Sequence, residues 1–112
     1  MVERSQISRN EIYWADLGEP AGRRPVCVLT RSAALQVLTT VTVAPITRTI
    51  RGIASEVELG PSEGLPETCV INCDTLASIR QSSLDPEPIG VLGFSKRVAL
   101  DRALRYSLDI LA

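Results

Sequence analysis

Two residue types, arginine and threonine, carry most of the chemistry available to this chain. Gly22-Arg23-Arg24-Pro25 sets two arginines in a turn directly ahead of the apolar run Val26-Cys27-Val28-Leu29. Pro25 fixes its own φ and biases Arg24 toward an extended conformation, which predicts that the Arg24 guanidinium is held at the mouth of a strand. A planar fork that keeps its charge at every biological pH pairs with phosphate oxygens two at a time. The same residues also suit a solvated turn before a core strand. Thr47 closes the run Val41 to Ile46 with a hydroxyl, although a threonine there also fits an ordinary strand end. The sequence contains no histidine, which removes the Ser-His-Asp and Cys-His designs. It has neither a P-loop nor a GxGxxG stretch. One reaction fits what remains: scission of RNA by attack of its own 2′-hydroxyl on the neighbouring phosphate. The substrate brings the nucleophile, so the protein has only to orient the strand, stabilise charge on the phosphorane oxygens and move two protons.

The other reactive side chains point elsewhere. Cys27, Cys69 and Cys73 are odd in number and no apolar leader precedes them, which argues for buried, reduced thiols rather than a disulfide framework. A structural zinc would need four Cys or His ligands, so no metal and no cofactor is expected. Glu56 and Glu58, two apart on one strand, face the same way and read as a solvated face. Net charge is −1, but it is unevenly spread. Residues 1–52 hold seven arginines against Glu3, Glu11, Asp16 and Glu19, whereas residues 53–94 hold Arg80 against seven acids. The first half therefore carries the positive field that would matter to a polyanion. Lys96 is the one lysine among 12 basic residues, a bias toward bidentate phosphate contacts.

At 112 residues the chain fits one domain, with residues 1–9 as a flexible N-terminus. No run reaches membrane-span length and no signal peptide opens the chain, so the cytoplasm is the expected compartment. Most of the periodicity is that of strands. Ile12 to Leu17, Pro25 to Thr30, Leu38 to Thr47, Ser55 to Leu59, Cys69 to Cys73 and Ile89 to Leu92 are short and separated by Gly/Pro-rich turns, the pattern of a small barrel. Tyr13 and Trp14 fall on opposite faces of the first strand, so at most one of them can line a binding surface. Residues 31–36 predict a helical turn. Beyond Ser95, a candidate cap, the residues Leu100, Ala103, Leu104, Ser107, Leu108 and Leu111 make one apolar stripe that predicts a C-terminal helix docked on the sheet. Asp101 and Arg105 add an i,i+4 pair on it.

Taken together, the stretches Glu11 to Leu17, Gly22 to Val26, Val43-Ala44-Pro45-Ile46-Thr47, Gly64-Leu65-Pro66, Ile79-Arg80, Ile89-Gly90 and Leu100 to Leu108 resemble the MazF/PemK toxins, in the same order over residues 11 to 111. The resemblance implies a mainly β, α+β fold: a small SH3-like barrel of the MazF/CcdB kind with a C-terminal helix. It further implies a homodimer, a sequence-specific and metal-independent endoribonuclease of single-stranded RNA, and a cognate MazE-type antitoxin whose C-terminal segment fills the RNA groove. By motif, the family's catalytic Arg-Pro falls on Arg24 and its catalytic threonine on Thr47. Glu19 matches the acid of the loop between the first two strands, and Arg23, Arg48, Arg51 and Arg80 become candidate RNA contacts. That loop is shorter here than in most of the family, which implies a more open groove. The alternative on the same barrel is a non-catalytic gyrase poison similar to CcdB, or a protein-binding SH3-like module.

Overall fold

The computed structural model describes residues 6–111. In chain order the elements are β1 (Glu11–Asp16), β2 (Arg23–Val28), α1 (Ser32–Leu35), β3 (Thr40–Thr47), β4 (Glu56–Leu59), β5 (Cys69–Asn72), β6 (Ala77–Arg80), β7 (Gly90–Val91) and α2 (Phe94–Leu108). The strands form one antiparallel sheet in the order β4-β5-β3-β2-β1-β7, with β6 added to β3. The fold is mainly β with a C-terminal helix, as the sequence predicts, and the strands of the expected small barrel form a half-barrel.

β3 is the element on which the rest is strung. One of its ladders pairs Val43, Ala44 and Pro45 with β2. Another pairs Thr40 to Val43 with β6, and a third pairs Ile46 and Thr47 with β5. The β2 ladder stops at Val26–Pro45. Two prolines account for the stop: neither Pro25 nor Pro45 has an N–H to donate, and proline is tolerated in strands only where pairing ends. Beyond that point β2 and β3 part, and a groove opens.

Alternation along the strands builds a core on each face of the sheet. Ile12, Cys27, Ala44, Ile46, Ile71, Leu92 and Leu100 belong to the core beneath α2. Tyr13, Val26, Val28, Leu35, Val41 and Val43 belong to the other, beneath α1. Tyr13 is buried whereas Trp14 is 39% exposed, so the two aromatics do part across the strand. All three cysteines are free and buried. Burial, reinforced by Cys73, pushes the Cys27 thiol up to about 12; burial and Asp74 push Cys73 up to about 11.

Several local expectations need correction. Residues 1–5 lie outside the described residues, but the remainder of the expected flexible N-terminus is docked. Ile7 is buried, the Arg9 amide donates to Ser32 Oγ at 2.9 Å, and the Arg9 guanidinium donates to the Leu29 carbonyl and to Asp101 Oδ1, the latter at 3.2 Å. Asp101 is thereby drawn to Arg9 instead of Arg105, because a docked arginine from a distant segment competes with a flexible neighbour on the helix. Ser95 does not cap α2: the helix starts at Phe94 with Gly93 in the cap position and no side-chain cap. Only the first part of the apolar stripe is packed. Leu100 and Ala103 are buried, while Leu108, the last residue of α2, and Leu111, beyond its end, are 52% and 92% exposed. Ser107 is held by polar contacts, its Oγ lying 2.6 Å from the Cys73 carbonyl and 2.9 Å from Asp74 Oδ1. β6 is a strand the sequence reading missed: Ala77-Ser78-Ile79-Arg80 does alternate apolar and polar, but over only four residues, too short a run to stand out.

Candidate functional site

The groove left where β2 and β3 part has a volume of about 590 Å³. Trp14, Pro25, Ile46, Leu65 and Cys69 line it with apolar surface; Arg23, Arg24, Thr47, Arg48, Thr49 and Glu67 supply its polar groups. Continuing the β2–β3 register two residues past Val26–Pro45 sets Arg24 opposite Thr47. The two residues singled out in sequence, 23 positions apart, thus stand at matching places on the two separating strands.

Each is set up to donate to an anion. Arg24 is partly buried; its Nη2 reaches the Ala21 carbonyl at 3.4 Å, and its Nε is buried with no hydrogen-bond partner among the described residues. An unsatisfied buried donor of this kind costs about 1–3 kcal/mol, which an oxyanion would return. Thr47 Oγ1 accepts the Thr49 amide at 3.1 Å. With one lone pair engaged in that way, its proton is left to donate outward.

Arg23 is held differently. Both of its terminal nitrogens bind Asp85, at 2.9 and 2.6 Å, and its guanidinium carbon lies 5.6 Å from the centre of the Trp14 ring. The Asp85 hydrogen bond raises the Arg23 pKa above the ordinary arginine value, so its charge is permanent. Arg48 pairs with Glu67 at 3.0 Å across the mouth of the groove. Arg51 lines a smaller depression of about 180 Å³ that shares Arg24, Thr47 and Thr49 with the groove.

Two candidates are not brought to this place within one chain. Arg80 pairs with Thr40 at the opposite end of β3, about 23 Å of strand from Thr47 at the usual rise per residue. Glu19 is exposed in the compact turn between β1 and β2, which is closed by Leu17 N to Gly22 O at 3.0 Å, and it lines neither depression. Sequence reasoning also missed groups that do line the site. Thr49, Asn72 and Thr75 face the smaller depression, and their spread over three segments leaves no local signal to find them. Glu56 is not merely a solvated carboxylate: it accepts the Arg51 amide at 3.0 Å and the Gly52 amide at 2.9 Å, fixing that turn.

The wall opposite β2 comes from the segment after β4. A single helical turn at Pro61–Glu63 is closed by the Glu63 carboxylate accepting the Gly60 amide at 2.8 Å. Gly64 (φ 89°) then delivers Leu65, Pro66 and Glu67 to the groove. A Cβ on Gly64 would stand 2.6 Å from the Ile89 carbonyl oxygen, and one on Gly90 would run into the Glu63 carbonyl, so both glycines are required for this wall to meet β7.

The family model for the PemK-like, MazF-like toxins of type II toxin-antitoxin systems matches residues 8–108. The chain belongs to that family. It is 40% identical over 103 residues to a probable endoribonuclease, MazF5 of Mycobacterium tuberculosis, covering 91% of this chain and 93% of the relative. The solved structure of the M. tuberculosis toxin MazF-mt6 superposes with a TM-score of 0.84 at 38% identity, over 91% of this chain and 99% of that one. An endoribonuclease from a mycobacterial species, solved with its cognate antitoxin, shares the fold with a TM-score of 0.83 at 24% identity over 95% of this chain and 98% of that one. Among MazF-like proteins the groove geometry is what gives the Arg-Pro and threonine motifs of this chain a physical meaning: the proline that positions the arginine also ends the ladder that would otherwise close the site. Among the described residues no helix is long and apolar enough to cross a membrane.

Proposed function

We propose that this MazF-type endoribonuclease cleaves single-stranded RNA in a sequence-specific, metal-independent way, by attack of a 2′-hydroxyl on the adjacent phosphate. The products would be 2′,3′-cyclic phosphate and 5′-hydroxyl ends. The observation that carries this reading is the placing of Arg24 opposite Thr47 where β2 and β3 part, with a buried, unpartnered Nε on one and a free hydroxyl proton on the other. Arg24 stabilises charge on the phosphorane oxygens and Thr47 orients the phosphate. Arginine's pKa makes it a poor proton donor, so its part is electrostatic. Trp14, exposed over an apolar floor, offers a stacking platform for a splayed base, the usual mode for single strands. Arg23, Arg48 and Arg51 supply positive charge around it.

The toxin acts in the cytoplasm as a homodimer and is held inactive by a cognate MazE-type antitoxin whose C-terminal segment fills the groove. The exposed apolar residues at and just beyond the end of α2, Leu108 and Ile110, which share a depression with Leu38, support a second copy as their cover. A depression of about 760 Å³ lies on that side. Its Arg9 is already committed to Asp101 and Leu29, so it suits packing better than phosphate chemistry.

Incubation with a long single-stranded RNA in EDTA, with fragment ends mapped, tests the reading. Discrete fragments carrying 5′-hydroxyl and cyclic-phosphate ends are expected; intact RNA would move the assignment to a non-catalytic poison.

A further inference from the structure

This inference builds on the assignment of the scissile phosphate to Arg24 and Thr47. The groove and the depression of about 180 Å³ meet along Arg24, Thr47 and Thr49, so a strand crossing those residues has one neighbour of the scissile phosphate on each side. The two sides differ in kind. The groove is roomy and floored with apolar surface, suited to a base. The smaller depression is polar and lies below the roughly 300 Å³ at which small-molecule pockets begin, room for a phosphate with its ribose oxygens but not for a nucleoside.

The arginines also sort themselves. Arg23 is paired with Asp85 and Arg48 with Glu67, whereas Arg51 makes no ion pair among the described residues. Glu56 lines the same depression, and a bare carboxylate there would repel a phosphate. Its oxygens are instead engaged by backbone donors, the Arg51 amide at 3.0 and 3.3 Å and the Gly52 amide at 2.9 Å. Gly52, at φ 69°, lets the chain reverse so that both amides meet one carboxylate. The acid thus fixes the turn from which the Arg51 side chain enters the depression.

We propose that this smaller depression is a second phosphate subsite, in which Arg51 takes the backbone phosphate one linkage away from the scissile one, and that Glu56 is the positioning residue that sets Arg51 there. The subsite fixes which linkage lies over Arg24 and Thr47, while leaving the base on that side unread.

The test uses the whole protein and an RNA oligonucleotide that carries its mapped cleavage site, with a 2′-deoxy residue at the attacked position so that binding is read alone. Uncharged methylphosphonate linkages are placed singly on either side of the scissile phosphate. In the wild type, one of the two is expected to weaken binding about tenfold, the size of one charge-assisted contact. Arg51→Ala should lose about as much on the unmodified oligonucleotide and nothing further at that linkage. Its log-log salt slope should fall by about 0.7, the loss of one single-strand phosphate contact. Glu56→Ala, which removes the acceptor of both amides, should lower the slope in the same direction, and Arg102→Ala, exposed on α2 and outside both depressions, should leave it almost unchanged. If the losses from Arg51→Ala and from the neutral linkage multiply at both positions, or the slope does not move, the subsite is refuted while the Arg24–Thr47 reading stands. A protein that cuts no RNA and does not bind the oligonucleotide overturns both.

Discussion

Gly64→Ala links the fold to the groove and can be worked through in numbers. Gly64 sits at φ 89°, a conformation that costs an L-residue about 1–2 kcal/mol. The added Cβ would also stand 2.6 Å from the Ile89 carbonyl oxygen and 3.3 Å from Ile89 Cγ2. Reaching even 3.0 Å requires a retreat of 0.4 Å, from 3.0 − 2.6. Neither side yields easily. Ile89 is tied by its amide to the Ile12 carbonyl at 2.6 Å, and Gly64 by its own amide to the Pro61 carbonyl at 3.0 Å. Overpacking of this sort costs about 1–3 kcal/mol, so the total is about 2–5 kcal/mol. At about 4 °C per kcal/mol for a chain of this size, Tm should fall by about 8–20 °C in thermal unfolding followed by circular dichroism. Because Leu65, Pro66 and Glu67 follow directly and line the groove, KM for RNA should rise more than kcat falls. Gly60→Ala is the control: Gly60 is extended, with nothing within 4 Å of its Cβ position, and it should be near neutral. Equal Tm values for Gly64→Ala and the wild type, or equal losses for the two alanine variants, would refute this account of the wall.

Three further outcomes are expected. Thr47→Ala should slow cleavage about 10²-fold with little change in Tm, and Thr47→Ser should recover most of it, measured as single-turnover rates. Hydrogen bonds from Ser55 (2.5 Å) and Ser107 hold the Asp74 carboxyl below its ordinary value, so folding favours its charged form. That stability is complete above the ordinary carboxylate range and is lost as pH falls through the lowered value; urea midpoints at pH 7 and pH 3 should therefore differ less in Asp74→Asn than in the wild type. With Cys27 and Cys73 raised to about 12 and about 11 by burial, and Cys69 raised by burial and Glu63, native protein should react negligibly with a thiol reagent at pH 8 and yield three thiols on unfolding.

What could be read from the sequence was whatever a local rule determines. Pro25 constrains Arg24, Pro45 and Thr47 end a run of β-branched residues, and period-two alternation parts Tyr13 from Trp14; none of these depends on a distant segment. The misreadings fall where distant segments compete. Asp101 looked like a partner for Arg105 until Arg9, 92 residues away, took it. Arg23, a candidate RNA contact, is also gripped by Asp85, 62 residues away, a pairing that no local rule reveals. Arg80 could not be placed without knowing that β6 joins β3 at its Thr40 end. The apolar stripe fixes the helix but not where it ends or how far it is covered: α2 stops at Leu108, capped by Asp109 in the left-handed conformation, so Leu111 does not continue the stripe and Leu108 is exposed where Leu100 is buried. Glu56 shows the same limit on a smaller scale: alternation sets its face, but only the turn at Gly52 turns it into a clamp for two amides.

The central claim is that Arg24 acts through fixed charge and fork geometry at the point where the β2–β3 ladder opens. Single-turnover cleavage of one RNA by wild type, Arg24→Ala and Arg24→Lys, each with its Tm recorded, tests it most directly. Arg24→Ala should fold normally and lose cleavage by about 10³-fold or more, with Arg24→Lys recovering only part because a point charge does not reproduce the fork. An Arg24→Ala protein that cleaves the same sites at the wild-type rate would contradict the account.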